Sequence, residues 1–153
     1  MADYEFVTIW NFDSPLEPVW EHIKHSENWN QWWKGVIRVV ELREGDAEGL
    51  GSIRRSTWKS VLPYTLEFDS EITRIEPMRL IAARAFGELN GTGLWQFEPR
   101  DGGTRVQYDW RVKTTKPWMN FMTPLARPFF KWNHDTIMGW GEEGLRKRLK
   151  QYL

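Results

Sequence analysis

The residues able to do chemistry are few. The chain has three histidines and no cysteine, so disulfides, thiolate metal sites and thiol catalysis are excluded. His134 lies on an apolar helical face with Phe130, Ile137 and Met138. As a general base it requires an orienting partner and a substrate proton within reach. Its sequence neighbours supply no such partner, and a core histidine satisfied by a neighbour is the commoner role. His22 and His25 are three apart on a first helix, a spacing that can bind a metal. No third ligand matches, so a solvated helix surface is the better account. No metal or other cofactor is implied.

Arg54 and Arg84 are the other candidates. Arg54 shares a strand face with Ser56 and Trp58, and Arg84 shares one with Leu80, Ala82 and Phe86. If those faces are inward, each arginine points into the core and can anchor a carboxylate. A one-residue change of register turns both outward. The run Arg146-Lys147-Arg148-Leu149-Lys150 ends a helix, and 21 basic residues balance 21 acidic ones. A solvated helix end explains it, and a general nucleic-acid binder is not expected. Acidic residues fall on outward faces and turns, and no carboxylate pair is placed for acid–base work.

These residues must be positioned by a core of large rings. Tryptophan occurs 11 times and aromatics make up 15% of the chain, each ring burying roughly 150–250 Å². Such a core is compatible with a cavity and equally with a solid interior. The 153 residues suit one domain, 1–153, without repeats or linkers. No run approaches the ~20 apolar residues of a membrane span, and the first residues lack a signal pattern. The expectation is a cytoplasmic protein with no stable membrane insertion.

Residues 4–12 read as a strand. Ser14-Pro15-Leu16-Glu17 signals a helix start, with Ser14 as cap and Pro15 in the first turn. Ser26 starts a second short helix carrying Trp29, Trp32 and Trp33, and Gly35 stops it. Strands follow at 36–43, 51–59, 64–75, 79–87, 92–99 and 104–114. They are broken at Gly45 to Gly49, Leu62-Pro63, Glu76-Pro77, Asn90-Gly91 and Asp101-Gly102-Gly103. Short links make neighbours antiparallel. In 104–112, Val106, Tyr108, Trp110 and Val112 alternate with polar residues, as do Tyr64, Leu66, Phe68, Ser70 and Ile72 in 64–72. Each strand therefore has one buried face that needs a cover. The cover is a long helix over 128–152, which Pro128 begins or kinks.

This order, and the residues Phe12-Asp13-Ser14-Pro15-Leu16-Glu17-Pro18-Val19-Trp20, Trp29 to Val36, Leu62-Pro63-Tyr64, Gly87 to Trp95 and His134…Met138 with Gly144-Leu145, resemble the helix-grip fold of the START/SRPBCC superfamily. The polyketide cyclase/dehydrase-like branch is the nearest. The heat-shock-ATPase-activator-like branch shares the early Trp pair but fits Gly87 to Gly93 less well. The resemblance implies an α+β fold in which a curved antiparallel sheet of about seven strands wraps the C-terminal helix, with two short helices after strand 1. It also implies a cavity for lipids, polyketides or other hydrophobic molecules.

The expected function is binding of a small hydrophobic or amphipathic molecule between sheet and helix. The cavity is expected to be lined by Trp58, Tyr64, Phe68, Arg84, Trp95, Phe97, Tyr108, Trp110, Phe130, His134 and Met138. Trp118 and Phe121 are expected to join this lining and, with Met119 and Met122, to form a mobile gate at one end of the cavity between Pro117 and Pro124. A cyclase/dehydratase-type enzyme is the alternative. It requires His134 or Tyr108 to meet an oriented partner in the cavity. A protein-interaction domain is a third reading, and it requires a filled core with an exposed aromatic patch.

Overall fold

The computed structural model describes residues 3–115 and 123–151. Strand β1 (Asp3–Phe12) places Tyr4, Phe6, Trp10 and Phe12 on its inner face, while Glu5, Val7, Ile9 and Asn11 face out. Helix α1 (Leu16–Lys24) buries Val19, Trp20 and Ile23. Ser14 makes no side-chain cap. Instead its carbonyl accepts a hydrogen bond from the buried Thr104 hydroxyl at 2.8 Å, tying the helix entry to the sheet. The second short helix is a 3₁₀ turn, Ser26–Gln31. Trp32 and Trp33 lie just beyond it, and Gly35 leaves it at φ 103°, a conformation that favours glycine.

Six more strands follow: β2 (Val36–Arg43), β3 (Ile53–Lys59), β4 (Thr65–Glu76), β5 (Leu80–Gly87), β6 (Leu89–Arg100) and β7 (Gly103–Thr114). They form one antiparallel seven-stranded sheet in the order β1-β7-β6-β5-β4-β3-β2. The long helix α2 (Thr123–Lys150) packs on its concave side. Among the described residues, no helix is long and apolar enough to cross a membrane. The helix-grip arrangement expected from the sequence is the one observed.

Two local expectations are corrected. The reversal between β5 and β6 occurs at Gly87-Glu88, with Gly87 at φ 114°. Asn90-Gly91 lies inside β6. Gly91 is required there by a close strand approach, because an added Cβ would lie 1.9 Å from the Arg111 carbonyl oxygen. The long helix also begins earlier than expected, at Thr123, so Pro128 lies within it.

Packing divides α2 into two unlike halves. The C-terminal half sits directly on tryptophans. A Cβ on Gly141 would meet Trp33 Cε2 at 2.5 Å and Trp10 Cζ2 at 2.8 Å. One on Gly144 would lie 1.8 Å from the Trp32 carbonyl oxygen. Trp33 Nε1 donates to the Ile137 carbonyl at 2.8 Å, and Leu145 and Leu149 complete this contact in the core. The N-terminal half instead meets Tyr4, Phe6 and the β3–β4 turn. Gly139, by contrast, has open space at its Cβ position.

Replacing Gly144 by alanine is expected to destabilise the protein by about 2–4 kcal/mol through overpacking against backbone. Gly139→Ala is expected to stabilise it by about 0.5–1 kcal/mol through helix propensity. Urea unfolding of both variants checks the pair. Equal effects of the two substitutions would show that the tryptophans do not hold the helix this closely.

Candidate functional site

Between the two halves the interior is not filled. A cavity of about 180 Å³ lies under α2, and its walls come from both core clusters. The inner faces of β3, β4, β6 and β7 supply Trp58, Phe68, Trp95, Tyr108 and Trp110. With Trp33, these rings make a closed circuit of contacts. Centroids lie 6.4 Å apart for Trp58–Phe68, 5.5 Å for Phe68–Trp110, 5.7 Å for Trp110–Tyr108 and 4.0 Å for Tyr108–Trp95. Trp95–Trp33 at 6.3 Å and Trp33–Trp58 at 5.0 Å close it. Most of these spacings fall in the range where aromatic pairs attract beyond simple burial.

The space exists because small residues face the rings. Ala83 and Ala85 line the cavity on β5. Gly93 on β6 lets Tyr108 lean over the strand, since a Cβ there would meet the Tyr108 hydroxyl at 2.5 Å. Three wall indoles have their N–H groups satisfied within the protein. Trp58 donates to Ser56 Oγ, Trp29 to the Ile23 carbonyl and Trp33 to the Ile137 carbonyl. These rings therefore present apolar faces to the cavity.

Nine of the expected lining residues are brought together here: Trp58, Tyr64, Phe68, Trp95, Tyr108, Trp110, Phe130, His134 and Met138. Two are not. Arg84 faces solvent, with its side chain 54% exposed, bonded to Glu71 at 3.0 Å and lying over the Phe86 ring. The inner residues of β5 are Ile81, Ala83 and Ala85, one position out of phase with the expected set. The strand is apolar on both faces, so alternation could not choose between them. Phe97 shares Trp95's face of β6, but it packs edge-on against Trp20 of α1 at 4.9 Å, beyond the cavity. Trp118 and Phe121, with the gate they were expected to form, lie outside the described residues.

Arg54 does face inward and lines the cavity. Its side chain is 14% exposed, and its charge is already met. Glu27 lies at 3.1 Å and Glu41 at 3.6 Å, and the guanidinium donates to Ser26 Oγ at 2.9 Å. It forms part of the wall between the apolar cavity and a polar crevice bordered by Glu27, Glu41, Asp46 and Ser52. Its place in the structure is a brace between α1 and β3.

At the other side, α2 crosses β1 and the β3–β4 turn. His134 stacks on Phe6, centroids 4.1 Å apart and nearly parallel. Neither ring nitrogen has a hydrogen-bond partner. Asp135 Oδ1 is 3.7 Å from Nδ1, too far to bond. Burial pushes the imidazole down to about 4, against an opposing pull from Asp135. His134 is therefore neutral near pH 7. Tyr64 is pushed up to about 12, mainly by burial and secondarily by neighbouring Tyr4. Tyr108 is raised well above the usual phenol range by burial. The Ser60 hydroxyl donates to Asn133 Oδ1 and closes the turn against the helix. Tyr4, Phe6, Trp29, Trp33, Ser60 and Asn133 also line the cavity and were not anticipated. Alternation along β1 could have found Tyr4 and Phe6, but nothing local shows that the edge strand reaches over the cavity.

The arrangement offers apolar area with a few neutral polar groups. Among the described residues no histidine meets an oriented carboxylate within bonding distance in the cavity, and no His/Cys/Asp/Glu cluster could hold a metal ion.

The His134 shift carries a pH consequence. Taking the ordinary 6.5 for the unfolded chain and about 4 when folded, the unfolded state takes up the proton first as pH falls. The contribution of neutral burial is complete above about 6.5 and lost by about 4, a change on the order of 3 kcal/mol. The stability difference between wild type and His134→Phe, measured by denaturant unfolding across this range, should shift in the variant's favour as pH drops. A difference independent of pH would mean that His134 titrates normally.

Comparison with known proteins agrees with this fold. The crystal structure of TTHA0849 from Thermus thermophilus is 20% identical, with a TM-score of 0.73 over 93% of this chain and 97% of that one. A START superfamily protein from Mycobacterium smegmatis is 12% identical, with a TM-score of 0.78 over 97% and 99%. The Zhui aromatase/cyclase of a Streptomyces species is 13% identical, with a TM-score of 0.70 over 97% and 96%. Identities this low speak for the fold alone. No curated protein matches the chain in sequence. The sequence profile described as "Polyketide cyclase / dehydrase and lipid transport" matches residues 11–148, nearly the whole sheet and most of α2, and the chain belongs to that family.

Proposed function

We propose that the protein binds a small hydrophobic or amphipathic molecule in the cavity between the sheet and α2. The observation that carries this reading is the closed circuit of rings around an unfilled space of about 180 Å³. Ligand sites are concave and mostly apolar with a few polar groups, and this cavity has that composition. It is smaller than the ~300–1,000 Å³ of typical ligand pockets, so the preferred ligand has a compact body of one or two rings or a short chain. The family description, which joins cyclase/dehydrase and lipid transport, is compatible with such a ligand.

Binding is favoured over catalysis because His134 has no oriented partner and Tyr108 is held as a neutral phenol stacked on Trp95. A cyclase or dehydratase needs a matched donor and acceptor in register. The interaction-domain reading required a filled core, and the cavity argues against it.

Indane titrated into the protein, followed by tryptophan fluorescence, is expected to give saturable binding. Ala83→Phe, which places a ring in the cavity, should weaken it about tenfold or more while leaving the circular dichroism unchanged. Undiminished binding by a folded Ala83→Phe variant would place the ligand elsewhere.

A further inference from the structure

The cavity has two polar regions, and they differ in charge: one is ionic and internally matched, the other neutral and unbonded. On the α1 side, the charge of Arg54 is matched by Glu27 and Glu41 and its terminal nitrogens are held by them and by Ser26, while its Nε has no hydrogen-bond partner. On the β1 side, across four intervening strands, two neutral groups are unbonded. Tyr4 is 4% exposed, and its hydroxyl is buried without any partner. His134 is in the same condition at both nitrogens. Both residues line the cavity, and Phe130 packs against the Tyr4 ring at 5.6 Å. Leaving such groups unpaired is costly, and native interiors seldom do so without a reason.

We propose that Tyr4 and His134 form a recognition subsite for an uncharged hydroxyl or carbonyl group on the cavity's ligand, and that carboxylate ligands are disfavoured. This deepens the binding function proposed above and rests on it. The chemistry follows from the inventory of donors and acceptors. A phenol and a neutral imidazole each offer one donor and one acceptor. A ligand hydroxyl also donates and accepts, so it can bond to both. A carboxylate only accepts, and losing its hydration requires a cation in return. Of the cavity-lining cations, Arg54 is neutralised by two glutamates, and Lys24 lies with it on the α1 side. The Arg127 guanidinium lies 4.9 Å over the Tyr4 ring, but it is exposed and outside the cavity lining, so a ligand carboxylate beside Tyr4 and His134 would meet no cation among the lining residues. Phe6 stacks on His134 and Phe130 packs edge-on against Tyr4, so each ring is held by an aromatic neighbour.

The test compares three probes of one shape, indane, indanol and indane carboxylate, by calorimetry on wild type, Tyr4→Phe and His134→Leu. Indanol is expected to bind wild type about five- to tenfold more tightly than indane, and the carboxylate more weakly than either. Tyr4→Phe should reduce the indanol preference to about twofold or less while indane affinity holds, and His134→Leu should do the same. Tyr4→Phe removes only one oxygen, so it carries the test even if His134→Leu fails to fold. Equal affinities for indane and indanol in wild type would overturn the subsite while leaving the hydrophobic cavity standing. A preference for the carboxylate, or an indanol preference that survives Tyr4→Phe, would also overturn it. If none of the three probes binds, the cavity-binding function falls and the subsite with it.

Discussion

The contact on which the rest of this structure depends is the seating of α2 on tryptophan. Gly141 and Gly144 remove the side chains that would hold the helix away, and Trp33 donates to the helix backbone at Ile137. The contact is therefore both steric and polar, and it fixes the helix in depth and in register. Trp10, Trp33 and Leu145 are almost completely buried around it. With the C-terminal half of α2 clamped in this way, the N-terminal half is held over the sheet at a distance set by the large rings beneath it. The cavity is the space that remains.

The same rings that leave the space also define its character. Planar side chains in edge and stacked contacts form a wall whose members support one another, and small residues on β5 and β6 keep the opposite side low. Where the wall indoles bond, they bond to serine or backbone oxygens, so the wall is electrostatically quiet. Outside, the sheet carries ordinary cross-strand pairs, such as Arg55–Asp69 at 2.9 Å and Glu71 between Arg43 and Arg84 at 3.0 Å each. The Arg84 hydrogen bond is the largest influence holding the Glu71 carboxyl below its usual range. Charge is thus kept on the convex face and neutral polar groups on the concave one.

Arg54 is the exception that clarifies this division. A guanidinium beside an apolar cavity is tolerable only with its charge matched nearby. Glu27 from the 3₁₀ turn and Glu41 from β2 do this, and Ser26 takes one of its donors. An arginine in this position is a structural tie between α1 and the sheet, and its presence does not make the cavity a receptor for anions. The groups at the β1 side, Tyr4 and His134, are by contrast neutral and without hydrogen-bond partners.

The sequence by itself determined the fold class, because alternation along β4, β6 and β7 and the helical spacing of Phe130, Met138 and Leu145 are local patterns with one economical solution. It also determined most of the aromatic wall, since the residues that alternate with Tyr108 and Phe68 must share their face. It could not determine the phase of β5, which is apolar on both sides, so Arg84 was placed inward when only the register with β4 and β6 turns it out. It misread Asn90-Gly91 as a turn, because the need for glycine came from the backbone of Arg111 across the ladder. Above all, whether the rings enclosed a space, and whether His134 found a partner, were decided by distances between residues far apart in the chain. Side-chain types set what each group can bond to, but only the tertiary packing sets what lies within reach.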